Sequence, residues 1–124
     1  MSNTKLVIGG VVLALIFIIG GLVWYNTTPG KLDAFAQCLD EKDATFYGAF
    51  WCPHCQNQKQ MFGKSEKYLP YVECSTPDGQ GQLELCQEAG IGGYPTWEFA
   101  DGERLSGEVS LAILSEKTGC ELPE

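Results

Sequence analysis

From Leu6 to Tyr25 the chain runs for twenty residues without a charge, mostly Val, Ile, Leu and Gly, and this run limits what the rest can be. About twenty apolar residues in a helix match the hydrocarbon thickness of a bilayer. A helix that is apolar all round needs lipid or a large protein about it, and the remaining chain is too small to supply the latter. Trp24 and Tyr25 end the run with side chains suited to a membrane interface. A cleaved signal peptide would have a shorter apolar core, about 7–15 residues, with a small-x-small site close behind. The one Ala-x-Ala candidate, Ala34-Phe35-Ala36, lies well downstream, inside a predicted helix. The chain is therefore expected to divide into a tail (1–5), a single transmembrane helix (6–25), a linker (26–31) and one soluble domain (32–124).

Charge orients that arrangement. Lys5 precedes the span and Lys31 follows it, whereas Asp33, Asp40, Glu41 and Asp43 outnumber Lys42 just beyond. The positive-inside bias then favours a cytoplasmic N-terminus and an exported domain. From Leu32 onward sixteen acidic side chains face six basic ones. Such a balance argues against nucleic acid or anionic lipid surfaces as partners, and its plainer consequence is solubility. All six cysteines, Cys38, Cys52, Cys55, Cys74, Cys86 and Cys120, fall in the domain, a density that fits an oxidising compartment.

Trp51-Cys52-Pro53-His54-Cys55 carries the chemistry. It places two sulfurs one helical turn apart. If Cys52 opens a helix, the unpaired N–H groups and positive dipole end there favour its thiolate, the form that attacks disulfides. Cys55 is then within reach to resolve the mixed disulfide.

The surrounding pattern alternates strand and helix. Leu32, Phe35, Ala36 and Leu39 recur at helical spacing. Thr45 to Trp51 reads as a buried strand, and Pro53 to Tyr68 as a helix that tolerates Pro53 in its first turn and is interrupted at Gly63. A second strand is expected over Tyr71–Ser75, then a polar loop from Thr76 to Gly81 and a short helix over Leu83–Ala89. Thr96 to Phe99 alternates as a strand, with Trp97 and Phe99 in the core, and Asp101-Gly102 turns it into Arg104 and Leu105. A last helix over Val109–Thr118 puts Leu111 and Leu114 on one face and stops at Gly119. The order α-β-α-β-α-β-β-α predicts a mixed α/β sheet flanked by helices.

These residues resemble a family. Strand, Trp-Cys-x-x-Cys, helix, and then Gly92-Gly93-Tyr94-Pro95-Thr96 before a strand and hairpin look like the thioredoxin fold, over about Leu32 to Gly119. The text from Phe46 to Cys55, with Tyr71-Val72-Glu73-Cys74 and Tyr94-Pro95-Thr96-Trp97, is closer still. It is similar to the thioredoxin-like domain fused to vitamin K epoxide reductase homologues in cyanobacteria and plastids. The resemblance implies that Cys52 is an exposed nucleophile, Cys55 the resolving thiol, and Pro95 the cis-proline beside the disulfide. Trp51, Tyr94 and Thr96 would contact substrate. No bound cofactor is implied, only the redox-active Cys52–Cys55 disulfide, with protein thiols as substrates. In that family the fused membrane domain uses a quinone to reoxidise its thioredoxin-like partner. Here one span is present, so either a separate quinone-linked membrane protein of that kind is the partner, or electrons flow another way. The domain would then face a periplasm or a thylakoid-type lumen.

Two departures set the expected direction of electron flow. Reducing thioredoxins carry a buried acid six positions before the first cysteine, where this chain has Phe46. His54 sits between the cysteines, as in strongly oxidising members of the superfamily. A positive imidazole there stabilises the thiolate, and stabilising the reduced form makes the disulfide a better oxidant. Disulfide formation is therefore favoured over a tethered reductase or isomerase, or over a non-catalytic adaptor. For the other cysteines alternatives stay open. Cys74 and Cys86 flank a Gly/Pro loop that a bridge would fasten. Cys38 and Cys120 could join the first helix to the C-terminus or remain free, Cys38 as an inert buried thiol. A zinc site from Cys52, Cys55, Cys74 and Cys86 lacks the usual second close pair, and no metal is expected.

Overall fold

The structure, a computed structural model, describes residues 2–124. Ser2–Thr27 forms one helix, α1, long and apolar enough to cross a membrane and with no buried residue. It reaches a few residues beyond the uncharged run at both ends. The rest of the chain forms α2 (Asp33–Glu41), β1 (Thr45–Gly48), α3 (Pro53–Gln60), a 3-10 turn (Gly63–Tyr68), β2 (Tyr71–Glu73), α4 (Glu84–Glu88), β3 (Thr96–Glu98), β4 (Arg104–Ser106) and α5 (Leu111–Thr118). Four strands make one sheet in the order β2-β1-β3-β4, with β1 parallel to β2 and the other pairs antiparallel. This is the mixed α/β architecture that the element order predicts, and it is consistent with the thioredoxin-like fold that the resemblance implies.

The core is organised across β1. Phe46 is opposite Tyr71 of β2 on one side and Trp97 of β3 on the other. Its ring meets Tyr71 edge-on at 5.1 Å and lies flat on Trp97 at 4.9 Å. Aromatic neighbours in such arrangements contribute about 0.5–1.5 kcal/mol each beyond the area they bury. Phe35, Ala36 and Leu39 of α2, Phe62, Phe99 and Leu114 of α5 close the same cluster. Behind the sheet a smaller cluster gathers Cys74, Cys86 and Ile91 against Tyr47, Val72 and Tyr94.

Several expected boundaries move, each for a local reason. The single helix over Pro53–Tyr68 is instead α3 plus the 3-10 turn, because Gly63 adopts a left-handed φ of 53° that no continuous helix can include. The strand over Thr45–Trp51 ends at Gly48. Ala49 to Trp51 form a turn, in which the Cys52 N–H donates to the Ala49 carbonyl and the Phe50 N–H to the Glu73 carboxylate. The last helix begins at Leu111, not Val109: the Ser110 side chain caps it by accepting from the Ile113 N–H, and both backbone groups of Val109 are engaged by Gln58.

Candidate active site

Cys52 is the N-cap of α3, in extended backbone conformation, with Pro53 at the first helical position. Proline suits that position because its missing N–H would have no helical partner. The Cys52 Sγ accepts from the Cys55 N–H at 3.2 Å, so it occupies the place a capping hydroxyl would otherwise take. Cys52 and Cys55 are the two cysteines not in a disulfide. The sequence expectation of an exposed Cys52 is corrected here: it is 5% exposed, against 0% for Cys55, since both side chains join the main core cluster. An incoming sulfur meets Cys52 first.

Cys55 lies in a tight place. A Cβ built on Gly48 would fall 2.8 Å from Tyr71 Cε2 and 3.1 Å from Cys55 Sγ. Glycine is therefore required at the end of β1 for the sulfur and the tyrosine ring to share that space. Burial pushes the Cys55 thiol up to about 12, with the hydrogen bond to Cys52 acting in the same direction and the Lys59 charge opposing it. Lys59, one turn further along α3, holds its Nζ 3.7 Å from the centre of the Tyr71 ring. The Tyr71 hydroxyl donates to Glu73 Oε2 at 2.6 Å. Burial first, and then that bond, raise the Tyr71 hydroxyl, which stays protonated. Glu73 Oε1 also accepts from the N–H groups of Phe50, at 3.1 Å, and Ser75, at 3.0 Å, so one carboxylate fixes the turn that leads into Cys52.

His54 projects from the first turn of α3 and is 69% exposed. Its Nδ1 donates to Glu108 Oε2 at 2.6 Å, a partner the sequence did not single out. Glu108 is held there indirectly. Gln58, fully buried one turn after His54, accepts from the Val109 N–H at 2.7 Å and donates to the Val109 carbonyl at 2.9 Å. The same Gln58 Oε1 accepts from Trp97 Nε1 at 3.2 Å, which links the segment to the centre of the sheet. Gln58 follows Cys55 by three residues on the inward face of α3, and a polar residue at that spacing is the one signal that could have revealed it.

Of the remaining predicted residues, Trp51 and Tyr94 are in contact with each other. The Tyr94–Pro95 peptide is cis, Pro95 is fully buried, and its carbonyl accepts from the Gly107 N–H. Trp51, half exposed, meets the Tyr94 ring edge-on at 5.9 Å and donates from Nε1 to Ser75 Oγ at 2.9 Å. Tyr94 Oη accepts from Gln82 Nε2 at 2.8 Å. Thr96 is instead buried and donates to the Gly93 carbonyl, which shapes the loop before β3 and offers a substrate little surface. Cys74 pairs with Cys86 across 5.6 Å between Cα atoms, fastening the loop beneath Trp51. Cys38 pairs with Cys120 across 5.9 Å, joining α2 to the C-terminal segment, so Cys38 is no free thiol. With Cys74 and Cys86 bonded to each other, the four-cysteine zinc arrangement has lost two of its thiolates. Among the described residues no other cluster of His, Cys, Asp and Glu could hold a metal.

Known proteins share this stretch. The chain is 48% identical over 96 residues to the thiol-disulfide oxidoreductase LTO1 of Arabidopsis thaliana, a match that covers 73% of this chain and 25% of the plant protein. It is 34% identical over 77 residues to a protein disulfide-isomerase of Arthroderma benhamiae, covering 58% of this chain and 14% of the fungal protein. Both relatives are named for disulfide chemistry. No family model matches the chain. The chain spans about a quarter of the length of the plant relative.

Proposed function

We propose that this chain is a thiol–disulfide oxidoreductase of the thioredoxin-like kind, held to a membrane by α1 and acting as a disulfide-forming oxidase. The observation that carries the reading is the placement of Cys52 Sγ at the N-terminus of α3, 3.2 Å from the Cys55 N–H, next in sequence to Trp51, whose ring meets Tyr94. A sulfur there is favoured as an anion by the helix dipole and by the donated hydrogen bond, both in attack and in departure. In the oxidised enzyme a substrate thiolate would attack Cys52 Sγ, breaking the Cys52–Cys55 bond and releasing the Cys55 thiolate, which takes up a proton. A second substrate thiolate then attacks the substrate sulfur of the mixed disulfide. The substrate leaves with a disulfide and the enzyme keeps two electrons as a dithiol.

Those electrons would pass to a membrane acceptor, in this reading a quinone-linked protein similar to vitamin K epoxide reductase. The apolar helix α1 supports a membrane setting, and in this reading the domain faces a periplasm or a thylakoid-type lumen. The oxidising direction is supported by His54 between the cysteines and by Phe46, apolar and fully buried, where a reducing thioredoxin carries an acid. One observation favours the opposite direction: Glu108 sets a carboxylate 2.6 Å from His54 and offsets part of its positive field. Equilibrating the full chain with glutathione buffers decides between them. A potential of about −120 to −200 mV is expected for an oxidase, and one near −270 mV would assign it to the reductases. Cys52→Ser should abolish turnover in either direction.

A further inference from the structure

Phe46 leaves the resolving sulfur without the acid that commonly helps such a thiol exchange its proton, and other groups occupy the space around it. Cys55 has no exposed surface. The charged and titratable groups that act on it are Cys52, the N-cap of α3, Lys59 of α3 and Tyr71 of β2, whose hydroxyl is in turn bound by Glu73. Lys59 is on the same helical face as Cys55, four residues on. Its long stem would otherwise be free to swing into solvent, yet the ammonium is seated 3.7 Å over the Tyr71 ring. That ring is itself fixed: its edge lies against the bare Gly48 with Cys55 Sγ, and its hydroxyl is bound to Glu73 at 2.6 Å. Glu73 is anchored by two backbone N–H groups. A chain of contacts thus runs from the Phe50 and Ser75 backbone through Glu73 and Tyr71 to the Lys59 cation on the helical face that carries Cys55.

We propose that Lys59, seated on Tyr71, supplies the positive charge that stabilises the Cys55 thiolate whenever that sulfur attacks or departs, with Tyr71 and Glu73 as positioning residues. The inference rests on the dithiol reading given above and assigns these three side chains a part in it. During resolution the Cys55 thiolate, its proton released to solvent, attacks Cys52 Sγ in a mixed disulfide. The Cys52–Cys55 bond forms, the bond from Cys52 to the bound thiol breaks, and that thiol leaves as its thiolate. Over attack and resolution together Cys52 and Cys55 lose two electrons, one each, and the two sulfurs of the disulfide partner gain them. In the reverse direction Cys55 is the leaving group and the same charge serves it.

The test uses the full chain in detergent micelles with glutathione disulfide as the probe, quenching at intervals and separating the mixed disulfide by mass. Formation of the mixed disulfide reports Cys52, and release of the second glutathione reports Cys55. Lys59→Gln should slow release about tenfold, the scale on which a nearby unit charge alters a thiolate population, and leave formation within about twofold. Lys59→Arg should restore release. Tyr71→Phe, which keeps the ring but frees it from Glu73, should give a smaller slowing of release alone. Release by Lys59→Gln within about twofold of the parent, or equal slowing of both steps, overturns the inference. Failure of a Cys55→Ser variant to form any mixed disulfide overturns the dithiol reading itself, and the inference with it.

Discussion

At Cys55 a sulfur with no exposed surface is held between its own helix and the Tyr71 ring, and this has a measurable effect on stability. In the folded dithiol form Cys55 keeps its proton up to about 12, whereas an unfolded chain gives it up near the ordinary thiol value of 9.0. Below that ordinary value both states are protonated and the group contributes no pH dependence. Above it only the unfolded state releases the proton, so stability of the reduced protein falls as pH rises from about 9 toward about 12, by about 1.4 kcal/mol per pH unit. The oxidised protein has no thiol there. Tyr71, raised chiefly by burial and its bond to Glu73, acts with the same sign in both redox forms, and only the smaller part owed to the two cysteine charges differs between them. Denaturant unfolding of the oxidised and reduced chains at stepped pH should therefore show their stability gap widening in favour of the oxidised form across that window. A gap that stays constant would show that the Cys55 site is open to water.

Between elements, the most consequential joint is made by Gln58. One buried amide satisfies both backbone groups of Val109 and the Trp97 indole, and thereby ties α3 to the segment carrying Glu108 and to the central strands. Gln58→Leu would leave those buried groups without partners, a loss expected to cost about 2–4 kcal/mol. Urea unfolding measures it, and faster amide hydrogen exchange at Val109 should accompany it. This joint also marks where sequence reading stops. The order of strands and helices, the cysteine pair, and Trp97 and Phe99 as core were legible, because hydrophobic spacing and turn residues are local signals. Gln58 with Val109, and His54 with Glu108, are fifty or more residues apart, and nothing in either stretch points to the other. The same holds for Lys59 over Tyr71, since a lysine on an amphipathic helix reads as a solvated charge. Boundaries failed at Ala49–Trp51 and at Val109 because side chains from elsewhere took up the backbone groups that a longer strand or helix would have used.

For the whole domain, two bridges divide the work of holding a small core together. Cys38–Cys120 closes 82 residues and nearly encircles the domain, whereas Cys74–Cys86 closes 12 and braces one loop. Chain entropy then predicts that removing the first with paired serines costs about 4.5 kcal/mol and removing the second about 3 kcal/mol. Unfolding midpoints of the two double variants, each with Cys52 and Cys55 intact, check the order. The short-bridge variant should also loosen the Trp51–Ser75 contact next to Cys52.

The junction between α1 and the domain has an effect on a different kind of quantity. Lys64 of the 3-10 turn donates to the Tyr25 carbonyl and the Thr28 hydroxyl and sits 4.1 Å over the Tyr25 ring, so the end of α1 is gripped by the segment that follows the redox helix. Embedded in a bilayer, such a joint would let the molecule spin and drift laterally while its reactive end kept one height and one tilt. Collisions with an acceptor in the same lipid sheet would then be a two-dimensional search, in which most rotational freedom is already spent before contact. Turnover would follow the number of molecules per area of membrane, and diluting the surrounding water would leave it unchanged.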